Sequence, residues 1–351
     1  MRPESAQVRP LLTIAIPTYN RVEYLMELLD LLEPQLAGFP QVELLICDNA
    51  SEDDTPQVVA AVRARLAEAG VAVEYLRHEA NIGSDANFVS SYEQARGSFF
   101  WLCGDDDLIL PGTLAKVVSH LQAADGAPAE IDMVYVTSYP FRTDYRAEAH
   151  GDPLGRRFHT VRDARTFATT VNIMFTFISG LVVNKQRLEE LPHEAPRAFV
   201  GTNLVQLAWS LPLLLRHRRS VVLWDRPLAG RVGNANGYSV GLVFGRNLVA
   251  NVLRLLPNRP DLSDPIVNFT VRRWFPSAIL EIRSSGNTTM GIEEAHATLR
   301  EVLGGNARYW MFVYPVLRLP LPLARLYAQV AGAASKLAYV AHLPGFWRRQ
   351  T

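Results

Sequence analysis

The stretch "SFFWLCGDDDLILP", residues 98–111, joins a short apolar run to a cluster of acids. The run "SFFWLC" is rich in aromatic residues and bounded by polar ones, which is typical of a buried strand. Gly104 and three consecutive aspartates, Asp105, Asp106 and Asp107, follow it directly. Carboxylates this close together repel one another and raise each other's pKa values. The pattern therefore predicts a positively charged partner at the end of this strand.

Similar apolar runs alternate with amphipathic stretches through the first half of the chain. They lie at 11–16, 42–47, 71–76 and 131–136, with further predicted strands at 177–183 and 221–224. This alternation, with short connections, predicts an α/β fold in which helices flank a mostly parallel sheet. In such sheets, ligands bind beyond the carboxyl ends of the strands.

Polar motifs follow four of these strands and therefore fall at one edge of the predicted sheet. They are "PTYNR" (17–21), "DNASEDDT" (48–55), "NIGSDAN" (81–87) and "GDDD" (104–107). Asp48 is placed to accept hydrogen bonds from a nucleobase or ribose, and Tyr19 to stack on a base. The alternative is local, because such residues also form turns and cap helices.

The three aspartates are candidate ligands of a hard divalent cation, which prefers oxygen donors. Mg²⁺ or Mn²⁺ with few protein ligands usually relies on a diphosphate to complete its coordination. The alternative is a solvated acidic turn in which one aspartate caps the next helix.

The composition indicates a globular protein large enough for two domains. The chain has 351 residues, 48% of them hydrophobic and 20% charged, with a formal net charge of zero. The absence of a basic field argues against nucleic-acid binding. Two distant cysteines, Cys47 and Cys103, are typical of reduced, buried thiols, and "MRPESAQVRP" lacks the apolar segment of a signal peptide. We therefore expect a cytoplasmic protein.

As an ordered set, the motifs resemble those of family 2 glycosyltransferases with the GT-A fold. The segments that carry the resemblance are "TIAIPTYNR", "LLICDNASEDDT", "NIGSDAN" and "FFWLCGDDDLILPGTL". "NIGSDAN" and the later "FISGLVVNKQRL" are similar to the abequosyltransferase-like branch. The resemblance implies a Rossmann-like GT-A domain over residues 1–240, followed by a helical C-terminal region over residues 241–351.

The resemblance also implies an inverting, metal-dependent transfer of a hexose or deoxysugar. The donor would be a nucleotide-diphosphate sugar, and the acceptor a glycan or a lipid-linked saccharide in cell-surface polysaccharide synthesis. By motif position, the donor site would be lined by Pro17, Thr18, Tyr19, Asn20, Asp48, Asn49, Ser51, Asn81, Gly83, Asp85, Asn87 and Asp105. The metal would be held by Asp105, Asp106 and Asp107, either through Asp106 and Asp107 or through Asp105 and Asp107.

One departure from the family pattern concerns the catalytic base. Many members carry an acidic pair where this chain has Gly201 and Thr202. Neither side chain can act as a carboxylate base. The nearest acid upstream, Glu194, is the predicted base, and Asp225 is a second candidate.

Two other functions remain open at this point. A sugar-phosphate nucleotidyltransferase would show a glycine-rich phosphate loop after the first strand, whereas "PTYNR" contains no glycine. A non-catalytic nucleotide-sugar-binding protein on a transferase scaffold would fit the missing acidic pair, but not the intact aspartate run.

The C-terminal segment 306–351 contains six basic side chains and no acid. Its apolar residues recur at helical spacing, and its prolines and arginines interrupt any stretch long enough to span a membrane. We expect peripheral contact between this segment and anionic lipid at the inner membrane face. The alternative is that these helices pack on the protein core.

Overall fold

The computed structural model describes residues 9–123, 128–233, 239–285 and 292–341. The chain divides into two compact units, Met1–Ala235 and Asn236–Thr351.

The first unit is built on one sheet, which in the described part of the chain has nine strands. Their bounds are β1 (Leu12–Thr18), β2 (Val42–Asp48), β3 (Val73–Arg77), β4 (Phe99–Leu102), β5 (Leu108–Ile109), β6 (Met133–Phe141), β7 (Phe158–Val161), β8 (Leu181–Asn184) and β9 (Ser220–Arg231). The strand order is β3-β2-β1-β4-β8-β6-β9-β5, and β7 pairs with β9.

The sheet is mixed rather than uniformly parallel. Strands β3, β2, β1 and β4 run parallel to one another, and β6 runs parallel to β9. Strand β8 runs antiparallel to both β4 and β6, and β5 and β7 run antiparallel to β9. The predicted α/β class is confirmed, and the parallel half of the sheet carries all four polar motifs.

Helices flank the sheet and make up the second unit. In the first unit they are α1 (Val22–Leu36), α2 (Thr55–Glu68), α3 (Ser84–Gln94), α4 (Thr113–Leu121), α5 (Ala164–Val171), α6 (Lys185–Glu189) and α7 (Leu207–Leu215). In the second unit they are α8 (Leu248–Leu255), α9 (Pro260–Phe269), α10 (Phe275–Ser285), α11 (Ile292–Leu303), α12 (Tyr314–Arg318) and α13 (Leu321–Ala341).

Burial explains why the sequence formed these elements. Every residue of β1 and β2 is buried, which accounts for their almost continuous apolar runs. Helix α1 buries Leu25, Leu28 and Leu32, spaced on one face as the sequence predicts. The predicted strand at 177–183 begins only at Leu181, because a 3₁₀ turn over Ile178–Gly180 precedes it.

A buried polar cluster at the amino end of the sheet fixes β4 against β1. Thr13 Oγ1 donates to Glu43 Oε2 at 2.6 Å and accepts from the backbone N–H of Gly97 at 2.8 Å. The Glu43 carboxylate also pairs with Arg96 at 2.5 Å. The cluster holds Gly97, just before β4, against Thr13 of β1, next to the pair in which Leu12 faces Phe99. It therefore helps to position β4 and the turn that follows it.

The second unit has its own core, to which the C-terminal segment contributes. Tyr309, Val313 and Val316 are fully buried, and they pack in one cluster with Phe275 and Leu299. For these three residues of segment 306–351 the alternative of packing on a protein core holds, because their side chains are core residues. The basic and aromatic residues beyond 341 lie outside the described residues.

No helix in the part of the chain that the structure describes is long and apolar enough to cross a membrane.

The close approach at Gly97 predicts that Gly97→Ala destabilises the first unit. A β-carbon there would lie 2.5 Å from the Thr13 backbone nitrogen and 2.6 Å from the Phe99 carbonyl oxygen. Overpacking of this kind costs about 1–3 kcal/mol. We expect a loss of that size in urea unfolding, with Gly151→Ala as the control, since its β-carbon meets nothing within 4 Å. Equal stabilities of the two variants would contradict this packing.

Candidate active site

The three aspartates lie in the turn after β4, at the carboxyl edge of the sheet. Asp105 and Asp107 are buried at 4% and 5% exposure. The side chain of Asp106 lies between them and is 17% exposed. Asp106 is therefore the carboxylate of the three that solvent or a ligand reaches most easily.

The positive partner that the cluster requires is Arg21, in the loop after β1. Its Nη1 donates to Asp105 Oδ1 at 3.0 Å and to Asp106 Oδ2 at 3.1 Å. Thr18 Oγ1 donates to the other oxygen of Asp105 at 2.8 Å. The motifs after β1 and β4 thus meet directly, as the shared sheet edge predicts.

Asp107 is held by residues in or next to strands β8 and β9. Ser179 donates its hydroxyl to Asp107 Oδ2, and the backbone N–H of Arg231 donates to Oδ1 at 3.1 Å. Ser179 lies in the turn before β8, and Arg231 ends β9. One buried carboxylate therefore connects three strands.

Crowding and burial shift the pKa values of this cluster upward. Burial and the neighbouring Asp106 raise the pKa of Asp105 to about 6, although Arg21 and Thr18 oppose the shift. Burial and Asp106 also raise the pKa of Asp107 to about 7, opposed by its bonds to Ser179 and Arg231. Burial is the largest cause of both shifts, and the charge of Asp106 adds to it.

Gly104 leaves room for the carboxylates of Asp106 and Asp107, because it has no side chain. A β-carbon at this position would lie 3.1 Å from Asp106 Oδ1 and 3.2 Å from Asp107 Oδ2. A side chain there would press on both carboxylates. Glycine at this position is therefore matched to the way Asp106 and Asp107 pack.

A metal ion fits this donor set only with help from a ligand. In the described residues, no three His, Cys, Asp or Glu side chains are arranged as a metal centre. The three carboxylates nevertheless follow one another in a single turn, and the side chain of Asp106 is 17% exposed. Carboxylate oxygens suit Mg²⁺ or Mn²⁺, and a bound diphosphate would supply the remaining ligands.

The proposed nucleoside side of the site is organised by Asp48, at the end of β2. This carboxylate is fully buried and accepts from the Ser51 backbone N–H at 2.8 Å and from Tyr75 OH at 2.6 Å. Arg77 Nε lies 3.4 Å from Asp48 Oδ2, the oxygen that also accepts from Tyr75. Asp48 thus anchors the loop after β2 through Ser51, and Tyr75 is a partner that the sequence motifs did not indicate.

Hydrogen bonds join the first three polar motifs into one surface. Asn49 Nδ2 donates to Asn81 Oδ1 at 2.8 Å, and Asn81 Oδ1 also accepts from the Gly83 N–H at 2.9 Å. The Asn20 N–H donates to Ser51 Oγ at 3.0 Å. The predicted convergence of these motifs is confirmed by these contacts.

The remaining predicted residues differ in how accessible they are. Tyr19 is 40% exposed, so its ring is accessible from solvent. Pro17 is buried within β1. Asn87 is buried, donates to the Cys47 carbonyl at 3.0 Å and contacts His78, so its visible contacts are structural. Both cysteines are free and buried.

Asp85 reaches the segment where the family pattern places its acidic pair. Its Oδ2 accepts from the backbone N–H groups of Gly201 and Asn203, each at 2.8 Å. Both of those residues have positive φ angles, 92° and 57°. Burial raises the pKa of Asp85, and these backbone bonds oppose the shift. Asp85 therefore holds the turn through Gly201 and Thr202 beside the start of α3.

The contacts on either side of Glu194 lead away from the aspartates. Glu194 is exposed, and Arg197 three residues later pairs with Glu93 near the C-terminal end of α3. Before it, Lys185 Nζ donates to backbone carbonyls at the same end of that helix. Asp85 lies at the opposite end of α3.

Asp225, the second candidate base, is engaged elsewhere. It lies within β9 and its Oδ2 forms an ion pair with Lys116 Nζ of α4 at 2.5 Å.

Solved structures of glycosyltransferases share this fold. The first 349 residues of TarS from S. aureus, solved with UDP, match 97% of this chain and 94% of that chain with a TM-score of 0.58 and 18% identity. The mannosyltransferase PcManGT from Pyrobaculum calidifontis, solved with GDP-Man and Mn²⁺, matches 95% of this chain and 83% of that chain with a TM-score of 0.50 and 17% identity. The GT-A class of fold is thus confirmed.

Sequence comparison identifies the family. The family model "Glycosyl transferase family 2" matches residues 13–187. Abequosyltransferase RfbV of Salmonella typhimurium is 29% identical over 202 residues, 55% of this chain and 58% of RfbV. The uncharacterized protein Rv1520 of Mycobacterium tuberculosis is 37% identical over 111 residues, 31% of each chain. The chain belongs to glycosyltransferase family 2, and it matches between about a third and three fifths of the length of these relatives.

The raised pKa of Asp107 predicts a pH dependence of stability. Between its ordinary value of 3.8 and about 7, the folded protein binds more protons than the unfolded chain, so the free energy of unfolding falls as pH rises. We expect Asp107→Asn to lose less thermal stability than the wild type between about pH 5 and about pH 8 in EDTA. Asp54→Asn, at an exposed position, should follow the wild type. Parallel curves for Asp107→Asn and wild type would contradict the assignment.

Proposed function

We propose that this chain is an inverting glycosyltransferase that uses a nucleotide-diphosphate sugar and modifies a glycan or a lipid-linked saccharide in cell-surface polysaccharide synthesis. The observation that carries the proposal is the convergence of four polar motifs around a cluster of three carboxylates at one sheet edge. The name of RfbV, an abequosyltransferase, supports the sugar-transfer chemistry. Complexes of TarS with UDP and UDP-GlcNAc, and of PcManGT with GDP-Man, support a nucleotide-sugar donor.

The donor is proposed to lie across the motifs in chain order. Its nucleoside would contact Tyr19 and Asn20 above the loop that Asp48 holds, with Thr18, Asn49 and Ser51 beside it. The sugar would face Asn81, Gly83, Asp85 and Asn87. This order keeps the diphosphate next to the three aspartates, where a cation can bridge phosphate and carboxylate oxygens.

The proposed cofactor is Mg²⁺ or Mn²⁺, held by Asp105, Asp106 and Asp107, with Asp106 the most accessible of the three. The Mn²⁺ in the PcManGT complex supports this choice. When bound, such an ion stabilises the negative charge of the departing diphosphate. The acceptor hydroxyl attacks the anomeric carbon from the opposite face and gives its proton to a carboxylate. Glu194 remains the base proposed from the sequence.

The comparisons give no support to a sugar-phosphate nucleotidyltransferase or to a binding protein without activity. Turnover separates the last alternative from an enzyme, because a binding protein would retain its nucleotide affinity and release no product.

Asp106→Ala is expected to lower metal-dependent donor turnover at least about a hundredfold, because the proposed metal loses its most accessible protein ligand. The measurement is hydrolysis of UDP-, dTDP-, GDP- and CDP-sugars with Mn²⁺ or with EDTA. Asp54→Ala is the matched control, since Asp54 is exposed and makes no capping hydrogen bond at α2. Full activity of Asp106→Ala, or equal activity in EDTA, would refute the metal assignment.

We also propose that the protein is cytoplasmic and binds anionic lipid at the inner membrane face through one face of α13. Leu323, Leu326 and Val330 are 53%, 59% and 63% exposed, and their spacing puts them on one side of the helix. Arg318 and Arg325 are exposed nearby in sequence, and segment 306–351 contains no acid that would repel the lipid. An apolar stripe with basic neighbours is typical of interfacial helices.

The double variant Leu326→Gln/Val330→Gln is expected to reduce co-sedimentation with phosphatidylglycerol vesicles without loss of thermal stability, because both side chains are exposed. Leu253→Gln is the control, since Leu253 is 55% exposed on α8, outside the stripe. High salt should weaken the wild-type binding without abolishing it. A wild-type protein that does not co-sediment with phosphatidylglycerol vesicles would contradict the proposal.

A further inference from the structure

Arg21 pairs with two of the three carboxylates that are proposed to hold the metal. A single nitrogen, Nη1, lies 3.0 Å from Asp105 Oδ1 and 3.1 Å from Asp106 Oδ2. A divalent ion held by either of these oxygens would compete with the guanidinium for it, because both are cations that need the same negative charge.

The arginine is placed so that it can leave. Arg21 is the residue before α1, and its backbone carbonyl accepts from the Leu25 N–H at 3.1 Å, so a movement away from the aspartates would be a rotation of its side chain. Its side chain is 35% exposed, whereas that of Asp105 is 5% exposed. The guanidinium also lies 5.4 Å from the centre of the Tyr24 ring, a cation–π contact outside the acidic cluster. The aspartates are therefore fixed and the arginine is the movable partner.

We propose that Arg21 is the resident counter-ion of Asp105 and Asp106 and competes directly with a divalent cation for their oxygens. The free protein then binds metal weakly, because each ion bound must displace a charge-assisted hydrogen-bonded pair. A polyanion that takes the guanidinium from the aspartates opens them to the ion.

The second half of this inference rests on the proposed function. The diphosphate of a nucleotide-sugar donor offers Arg21 several charged oxygens in place of the two carboxylates. Arg21 is thereby a positioning residue that couples metal binding to donor binding. It touches the phosphates or the aspartates, according to whether donor is present.

The test measures binding of Mn²⁺ alone to the metal-free protein, by loss of the free Mn²⁺ signal in electron paramagnetic resonance. We expect Arg21→Gln to bind Mn²⁺ at least about tenfold more tightly than the wild type. Arg65→Gln is the matched control: it removes an exposed arginine of α2 that pairs with Glu33 on α1, so its affinity for Mn²⁺ should equal that of wild type.

Thermal unfolding supplies a second readout. Arg21→Gln leaves two carboxylates without their counter-ion, so its Tm should be lower than that of wild type in EDTA, and Mn²⁺ should raise it more. If Arg21→Gln does not fold, Arg21→Lys replaces it, since an ammonium cannot reproduce the planar guanidinium. The lysine variant should show a smaller gain in Mn²⁺ affinity.

Unchanged or weaker Mn²⁺ affinity in the folded Arg21 variant overturns the proposal, as does an equal gain in Arg65→Gln. Binding of UDP, dTDP, GDP and CDP is measured separately in EDTA, where Arg21→Gln should bind the best of the four more weakly than the wild type does. A wild type that binds none of the four nucleotides would contradict the proposed function, while the competition between Arg21 and Mn²⁺ would still stand or fall on its own measurement.

Discussion

Burying carboxylates at the carboxyl end of a central strand costs free energy unless the surrounding structure offers hydrogen bonds and positive charge. Here the cost falls on Asp105 and Asp107, with Asp106 between them. The compensation comes from Thr18 and Arg21 beyond β1, and from the turns around β8 and β9. Because these groups lie far apart in sequence, the site exists only when the sheet is correctly ordered.

Much of this arrangement could be predicted from the sequence. Strands β1 and β2 are buried on both faces, which makes them readable as continuous apolar runs. Parallel order places their following loops at one edge, so the meeting of Thr18 with Asp105 follows from the pattern. Arg21 was visible in "PTYNR", next in the chain to residues assigned to the donor, but nothing in the sequence alone marks it as the partner of the acids.

The rest depends on contacts between distant segments. Asp85 bonds to Gly201 and Asn203, more than a hundred positions away, and no local pattern encodes that pairing. The sequence pattern predicts a strand at Ser179, but this residue lies in a 3₁₀ turn from which its hydroxyl donates to Asp107. The C-terminal segment shows a similar limit, because a lack of acids does not tell which face of Tyr309 or Val316 is buried.

Hydrogen–deuterium exchange on donor binding tests the central claim most directly, namely that the carboxyl edge of β1, β2 and β4 is the donor site. The experiment compares the protein with and without Mn²⁺ and whichever of UDP or GDP binds better. The account predicts slower exchange in 17–22, 48–52 and 103–108, and unchanged exchange at the opposite edge, in 69–72 and 95–98. Protection confined to other segments, or none at saturating nucleotide, would contradict it.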